Sequence, residues 1–219
     1  MTNSYLSTLR RVGIVVIIIG VLDIGYMAYC ISTEQSYSSS LNIFAIVAGI
    51  FLMRGNLTAA RVISWFTAFF LAAFIIGIVI IAPTFQPLGL SITQIRLNPY
   101  SFIISAFISV VLLCVLFWIY RELRSPIVIK ALSDKQKSVK APKSAFIAGG
   151  CLVLIIVIMM NLTLNGASSK KAVLLAKEKL GAQYQYNVKE MRWAGDHVWA
   201  NVTAYNKTEI KSIEVEWDK

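Results

Sequence analysis

Long runs of apolar residues, separated by short polar segments, dominate the chain as far as residue 164. Crossing the hydrocarbon core of a membrane, about 30 Å, takes roughly 20 helical residues. Five runs approach that length and predict five membrane-spanning helices, at residues 12–31, 38–53, 62–82, 100–120 and 145–164. The second is the shortest, because its strictly apolar part begins at Leu41, so it needs Ser38–Ser40 and a snorkelling Arg54 to reach across.

A different pattern begins at residue 165. Helical spacing of apolar residues predicts a helix that starts with a cap at Ser168 or Ser169 and ends at Leu180, with Gly181 as its left-handed stop. Strict alternation then predicts three strands, with turns at residues 194–196 and 206–208. The apolar faces of the strands are Tyr184, Tyr186 and Val188, then Val198, Ala200, Val202 and Ala204, then Ile213, Val215 and Trp217.

These patterns together predict an α-helical integral membrane protein with a small C-terminal α+β domain. Residues 1–164 form a transmembrane module of five helices, and residues 165–219, called the tail here, form one helix packed on a three-stranded antiparallel sheet. A domain of about 50 residues is marginally stable alone, so docking on the membrane module or on another protein would help it.

Composition agrees with a membrane protein, because 57% of the residues are hydrophobic and only 15% are charged. The net charge of +10 does not indicate nucleic-acid binding, since most of the basic residues flank the spans and do not gather on one soluble face. The first apolar run is not predicted to be a signal peptide, because it continues to Ile31 and is too long for a signal-peptide core. The three cysteines lie in or beside apolar runs, and the tail has none.

Lysine and arginine are distributed unequally among the connections. Eleven lie before the first span, between the second and third, or in the basic loop of residues 121–143, whereas the opposite side has only Arg96. The positive-inside rule predicts a cytoplasmic N-terminus, and five spans then place the tail outside the cytoplasm. The basic loop would also attract anionic lipid. The arginines that determine this orientation are Arg10, Arg11, Arg54, Arg61, Arg121 and Arg124.

Candidate chemistry is sparse. Asp23 is the only acidic residue inside a predicted span, and it is either a proton or cation relay or a structural group near headgroup water. His197 is the sole histidine, and its neighbours complete neither a metal site nor a catalytic triad, so it reads as a turn or strand-start residue. We therefore expect no catalytic residue, metal or cofactor.

The tail is rich in aromatic residues, which serve either as core or as a contact surface. Alternation places Trp199 and Tyr205 on the face opposite Val198–Ala204, where one set can pack and another stay exposed. These two residues are the predicted partner surface.

Two segments resemble a broad group of small bacterial inner-membrane proteins of unknown function. They are FLMRGNLTAARVISWF, residues 51–66, and WIYRELRSPIVIKAL, residues 118–132. The likeness covers about the first 135 residues, and Ala59 stands where that group often has tryptophan. The tail, with Leu180–Gly181 followed by strands, is similar to the outward-facing domains of cytochrome oxidase assembly factors and inner-membrane translocase subunits. That resemblance implies a tethered interaction domain.

The resulting hypothesis is a non-enzymatic protein of the bacterial inner membrane, an accessory or assembly protein whose tail meets a protein partner in the cell envelope. The alternative is a small transporter or channel component that uses Asp23, aided by apolar residues of the loop 83–99 at the interface.

Overall fold

The computed structural model describes residues 2–34 and 42–218. In these residues the chain forms eight helices followed by three strands. The helices are α1 (Thr2–Ser32), α2 (Asn42–Met53), α3 (Leu57–Phe85), α4 (Leu88–Leu97), α5 (Pro99–Leu123), α6 (Pro126–Asp134), α7 (Lys143–Leu164) and α8 (Ala167–Leu180). The strands are β1 (Gln185–Ala194), β2 (His197–Tyr205) and β3 (Ile210–Asp218).

Four helices are long and apolar enough to cross a membrane, namely α1, α3, α5 and α7. Each contains one of the predicted spans and extends beyond it. Helix α2 is apolar but has only 12 residues, about 18 Å at 1.5 Å per residue. Residues 38–41 of the second predicted span lie outside the described residues, so a fifth span stays a prediction.

Two short helices occupy segments that the sequence analysis treated as loops. Helix α4 lies in the loop 83–99, and helix α6 lies in the basic loop 121–143. Pro126 stands at the first position of α6, where its missing N–H is not needed. Each helix buries two side chains, Leu90 and Thr93 in α4 and Val128 and Leu132 in α6. Hydropathy alone does not distinguish these packed segments from connecting loops.

The chain divides into two compact units, each assembled from distant parts of the sequence. The first comprises Met1–Ala72 and Leu113–Ile147, and the second Ala73–Leu112 and Ala148–Lys219. The boundary passes through α3, α5 and α7, so each of these helices contributes to both units. The tail is grouped with the loop that carries α4.

The core of the first unit joins helices α1, α2, α3, α5 and α6. Its tightest contact lies between α1 and α2, which run antiparallel, as Leu6 meets Gly55 and Gly13 meets Gly49. A Cβ atom built on either Gly13 or Gly49 would lie 2.7 Å from the backbone oxygen of the other. The buried residues of this core are Leu9, Val12, Val16, Leu52, Leu57, Ala60, Ile119, Leu123, Val128 and Leu132.

In the second unit, α8 packs on one face of the three-stranded antiparallel sheet, whose strand order is β1-β2-β3. The predicted helix and three strands are therefore present. Buried Ala172 and Ala176 meet Val188, Ala200, Val202 and Val215. The cap differs from the prediction, because Gly166 occupies that position without a side-chain hydrogen bond and the helix starts before Ser168. Gly181 ends the helix at a φ of +87°, which favours glycine.

Both predicted reversals join antiparallel strands. Ala194 pairs with His197, so Gly195 and Asp196 form a two-residue turn, with Gly195 at a φ of +60°. Tyr205 pairs with Ile210 around a four-residue loop. In that loop the Asn206 side-chain oxygen accepts hydrogen bonds from the backbone N–H groups of Thr208 and Glu209, at 2.8 and 2.9 Å. The asparagine thus holds the turn through its own side chain.

Candidate interaction surface of the tail

The two faces of the tail sheet have different neighbours. The cross-strand register places Val198, Ala200, Val202 and Ala204 on the face toward α8, and it places Trp199 and Tyr205 on the other face. A sheet with one helix layer leaves its second face to solvent or to another element. What covers that second face decides which residues a partner could reach.

Helix α4 covers the end of the second face nearest the β2–β3 loop. The Thr93 hydroxyl lies 2.9 Å from the carbonyl oxygen of Asn206, and Arg96 donates to the carbonyl oxygen of Lys207 at 3.3 Å. A Cβ atom on Gly89 would lie 3.2 Å from the ring of Tyr205, so the helix backbone rests close to that ring. These contacts dock the loop 83–99 on the sheet.

One further bond ties the end of α3 to the same face. The side-chain amide of Asn187 on β1 donates to the carbonyl oxygen of Phe85 at 3.2 Å. Tyr205 is only 5% exposed as a result of this docking, and burial raises its pKa. Tyr205, one of the two residues predicted as a partner surface, is therefore buried in an internal contact. Only Trp199 of this pair stays accessible to a partner.

Trp199 is half-buried at the uncovered end of the second face. Its indole N–H donates to the carboxylate of Glu216 on β3 at 3.1 Å, and Arg192 is its neighbour on β1. Beside it, His197 Nδ1 lies 2.5 Å from a carboxylate oxygen of Asp218, with both side chains exposed. His197 starts β2, as predicted, and pairs across the sheet with Asp218.

Acidic side chains dominate this uncovered end. Glu190, Asn201 and Glu214 lie in one cross-strand row, and Arg192, Trp199 and Glu216 lie in the next. Arg192 Nε lies 2.8 Å from a carboxylate oxygen of Glu190, but both side chains are exposed. This ion pair therefore adds little stability. The arrangement offers one aromatic side chain bordered by carboxylates, which suits a basic partner segment.

A hydrogen-bonded group of three side chains lies near the β2–β3 loop. The Tyr184 hydroxyl donates to the carboxylate of Glu209, and the Lys211 ammonium donates to the Tyr184 oxygen at 2.7 Å. Lys211 also lies 3.1 Å from the second carboxylate oxygen of Glu209. The bond from Tyr184, followed by that from Lys211, lowers the pKa of Glu209 below its ordinary 4.5. The same contacts, that with Tyr184 first, raise the pKa of Lys211.

The two edge strands differ in regularity. β1 contains a bulge between Val188 and Glu190, whereas β3 pairs with β2 without interruption from Ile210 to Asp218. Bulges and twists make an edge a poor template for pairing with another chain. In the described sheet, β3 is therefore the better edge for a further strand.

The remaining predicted residues lie apart from this surface. Asp23 is half-buried in α1 and has an interaction partner. Among the described residues, no three His, Cys, Asp or Glu side chains lie close enough together to hold a metal ion. All six arginines that are predicted to determine orientation belong to the first unit, and all are exposed except Arg124, which is half-buried.

The residues of α4 that dock on the sheet were not predicted from the sequence. The signal was present in the apolar positions of the loop 83–99, which were assigned to the membrane interface. Leu90 is 1% exposed, whereas Leu88 and Ile92 are largely exposed, so only one side of the helix is covered. Comparisons with known protein families, with curated proteins and with solved structures find no match to this chain.

Proposed function

We propose that the chain is a multi-pass protein of a bacterial inner membrane that acts as an accessory or assembly protein, and that its tail receives an extended segment of an envelope partner. The observation that carries the proposal is the regular outer edge of β3, which is nine residues long and pairs with no further strand in the described part of the chain. Helices α8 and α4 hold the sheet from both faces. Strand addition at such an edge supplies affinity through main-chain hydrogen bonds.

The side chains along β3 suggest which partner the edge accepts. Glu214 and Glu216 are exposed and lie on the same face as Trp199. Opposite charges in neighbouring strands stabilise pairing, and like charges oppose it. The partner segment is therefore basic and extended, and its lysine or arginine side chains lie beside these two glutamates.

Site-specific photo-crosslinking in intact membranes tests this proposal. A photoreactive residue at Glu214 on the β3 edge should give one discrete adduct, because the partner strand lies within a few ångströms of it. The matched control is the same residue at Lys189, which is also exposed but sits in the bulge of β1. Adducts of equal yield from both positions, or none from Glu214, would contradict the proposal.

Proline substitution tests whether the partner binds β3 through main-chain hydrogen bonds. Proline removes one backbone donor, and the donors of successive residues point to opposite sides of a strand. One of Ser212→Pro and Ile213→Pro therefore blocks the outer edge, while the other breaks a bond to β2 and lowers the thermal midpoint of the purified protein. The variant that keeps its midpoint should lose at least about tenfold in adduct yield, the equivalent of about 1.4 kcal/mol. Full retention of the adduct would exclude strand addition.

A further inference from the structure

A basic groove lies within the first unit, between the start of α3, the end of α5 and the segment of residues 138–144. Its volume is about 480 Å³. Three cationic side chains line it, Arg61 from α3, Arg124 after α5 and Lys140 from the segment, and none of its described lining residues is acidic. Hydroxyl groups of Ser138 and Ser144 supply further polar atoms.

Side-chain hydrogen bonds hold the groove in shape. Arg124 Nη1 donates to the carbonyl oxygens of Val139 and Lys140, at 3.0 and 3.2 Å. The indole N–H of Trp65 donates to the Ser144 hydroxyl at 3.1 Å, and the Lys137 ammonium donates to the Thr58 hydroxyl. The bonds from Arg124 and Trp65 attach the segment 138–144 to the end of α5 and to α3, and Val139 also packs against the core of the first unit.

Ser64 is the unusual residue of this groove. It lines the groove and is 5% exposed, yet its buried hydroxyl has no hydrogen-bond partner among the described residues. Thr67, one turn further along α3, shows the ordinary solution, since its hydroxyl donates to the Ile63 carbonyl at 2.8 Å. Burying a hydroxyl without a partner costs free energy. A bound acceptor would remove that cost.

The electrostatics of the groove favour an anion. Thr58 and Ala60 lie in the first turn of α3, and Ser144 lies in the first turn of α7, so the positive ends of two helices border the same space. Helix N-termini and arginine side chains both bind phosphate oxygens. We propose that this groove binds a phosphate group, carried either by the headgroup of an anionic phospholipid or by a soluble phosphate compound.

The apolar border of the groove suits a lipid. Val62 and Phe66, which also line it, are about half exposed on the surface of α3 and would meet an acyl chain. This site goes beyond a general attraction of basic residues to anionic membranes, which depends only on net charge near the surface. It does not depend on a partner of the tail, because none of its residues lies in the second unit.

Retention of lipid by the purified full-length chain tests the site. The protein is exchanged into a detergent with either phosphatidylglycerol or phosphatidylcholine, and bound lipid is counted by native mass spectrometry. In a second arm, inorganic phosphate is titrated against protein in phosphatidylcholine nanodiscs. Retention of phosphatidylglycerol alone identifies a lipid headgroup as the ligand, and saturable phosphate binding identifies a soluble one. Failure of both arms overturns the proposal.

Paired variants separate a site from a charged surface. Arg61→Gln with Lys140→Gln should weaken binding at least tenfold, because both lost cations line the groove. The matched control, Arg121→Gln with Lys143→Gln, removes the same charge from exposed positions that do not line it. Equal losses of binding in the two double variants would show that binding depends only on net charge, and would overturn the proposal.

Ser64→Ala gives an independent readout that needs no change of charge. It removes an unpartnered hydroxyl, so the empty protein should keep or raise its thermal midpoint while binding weakens several-fold. Thr67→Val, whose lost hydroxyl already has a partner in its own helix, should leave binding unchanged. Unaltered binding in Ser64→Ala would show that the hydroxyl takes no part and would contradict the site as drawn.

Discussion

At the scale of single residues, the closest approach between helices depends on two glycines. Gly13 and Gly49 let the backbones of α1 and α2 touch, and no side chain larger than hydrogen fits without a shift of the backbone. Close approach of this kind gives dispersion contacts over the whole helix pair, and it is common where helices pack inside membranes. The stability lost when a methyl group is added at one of these glycines therefore measures how rigidly α1 and α2 pack.

Gly13→Ala should destabilise the protein by about 1–3 kcal/mol, because the new Cβ atom would meet backbone atoms that cannot move independently. Gly25→Ala is the matched control in the same helix, since its Cβ atom would have nothing within 4 Å. That variant should be stabilised by roughly 0.5–1 kcal/mol, as alanine is the better helix former. Chemical unfolding in detergent measures both, and equal effects would contradict the close packing of α1 and α2.

At the scale of elements, docking of α4 turns a two-layer tail into a sheet held from both faces. Helix α4 and the β2–β3 loop are more than a hundred residues apart, yet they share the Thr93 to Asn206 contact. A domain of this size buries little core alone, so a second helix adds stability that the tail lacks by itself. Stability of the tail should therefore respond to changes in the loop 83–99.

Thr93→Val tests the docking without changing the size of the side chain. It removes a part-buried hydroxyl that lies 2.9 Å from the Asn206 carbonyl oxygen and 3.0 Å from the Gly89 carbonyl oxygen of its own helix. Because one hydroxyl hydrogen serves both acceptors, the expected cost is about 0.5–1.5 kcal/mol. Hydrogen exchange of the backbone amides around the β2–β3 loop should accelerate, while exchange in α1 stays unchanged. Thr84→Val is the control, because Thr84 is exposed and bonds only to Ile80 in its own helix. Equal exchange in wild type and Thr93→Val would refute the docking.

Acid should weaken the group formed by Tyr184, Glu209 and Lys211. The pKa of Glu209 is lowered in the folded state, so its contribution to stability is present above the ordinary value of 4.5 and is lost as pH falls through the lowered pKa. Glu209→Gln should be less stable than wild type at neutral pH, and the two should converge as the pH falls below the lowered pKa of Glu209. Unfolding midpoints measured from pH 7 to pH 3 give the comparison. A constant difference across that range would show that the carboxylate charge is irrelevant.

At the scale of the whole molecule, the distribution of basic residues predicts how the chain is oriented in the proposed membrane. The arginines that argue for a cytoplasmic side all lie in one unit, and the tail lies in the other. Orientation by basic residues depends on short connections near the spans, and the tail, with nine basic and seven acidic residues, adds no decisive charge.

A reporter fused after Lys219 tests this orientation. An enzyme that is active only outside the cytoplasm should be active in the fusion, and a fluorescent protein that matures only in the cytosol should stay dark. Exchanging Arg121 and Arg124 for glutamine in the same fusion should lower the fraction of correctly oriented chains, because two basic charges leave the predicted inner side. Fluorescence of the cytosolic reporter in the unaltered chain would contradict the predicted orientation. It would also contradict the proposed partner outside the cytoplasm.

The sequence by itself determined the elements whose signals are local. Four long apolar helices, the helix of the tail and its three strands all follow from hydropathy or from periods of 3.6 and 2 residues, which a single segment displays without reference to the rest. Gly181, which ends α8, and Gly195, which lies in the turn between β1 and β2, could be predicted for the same reason. Local signals also explain why Trp199 and Tyr205 were assigned to one face.

Tertiary structure alone decided which parts of that face stay open. Alternation states that Tyr205 lies opposite the α8 face, but only the packing of α4 buries it, through contacts with a loop that looks merely apolar in sequence. The basic groove likewise joins α3 to a segment almost eighty residues later, as the Trp65 to Ser144 bond shows. Such sites depend on how elements meet in space, because periodicity records the face a residue occupies and carries no information about what covers it.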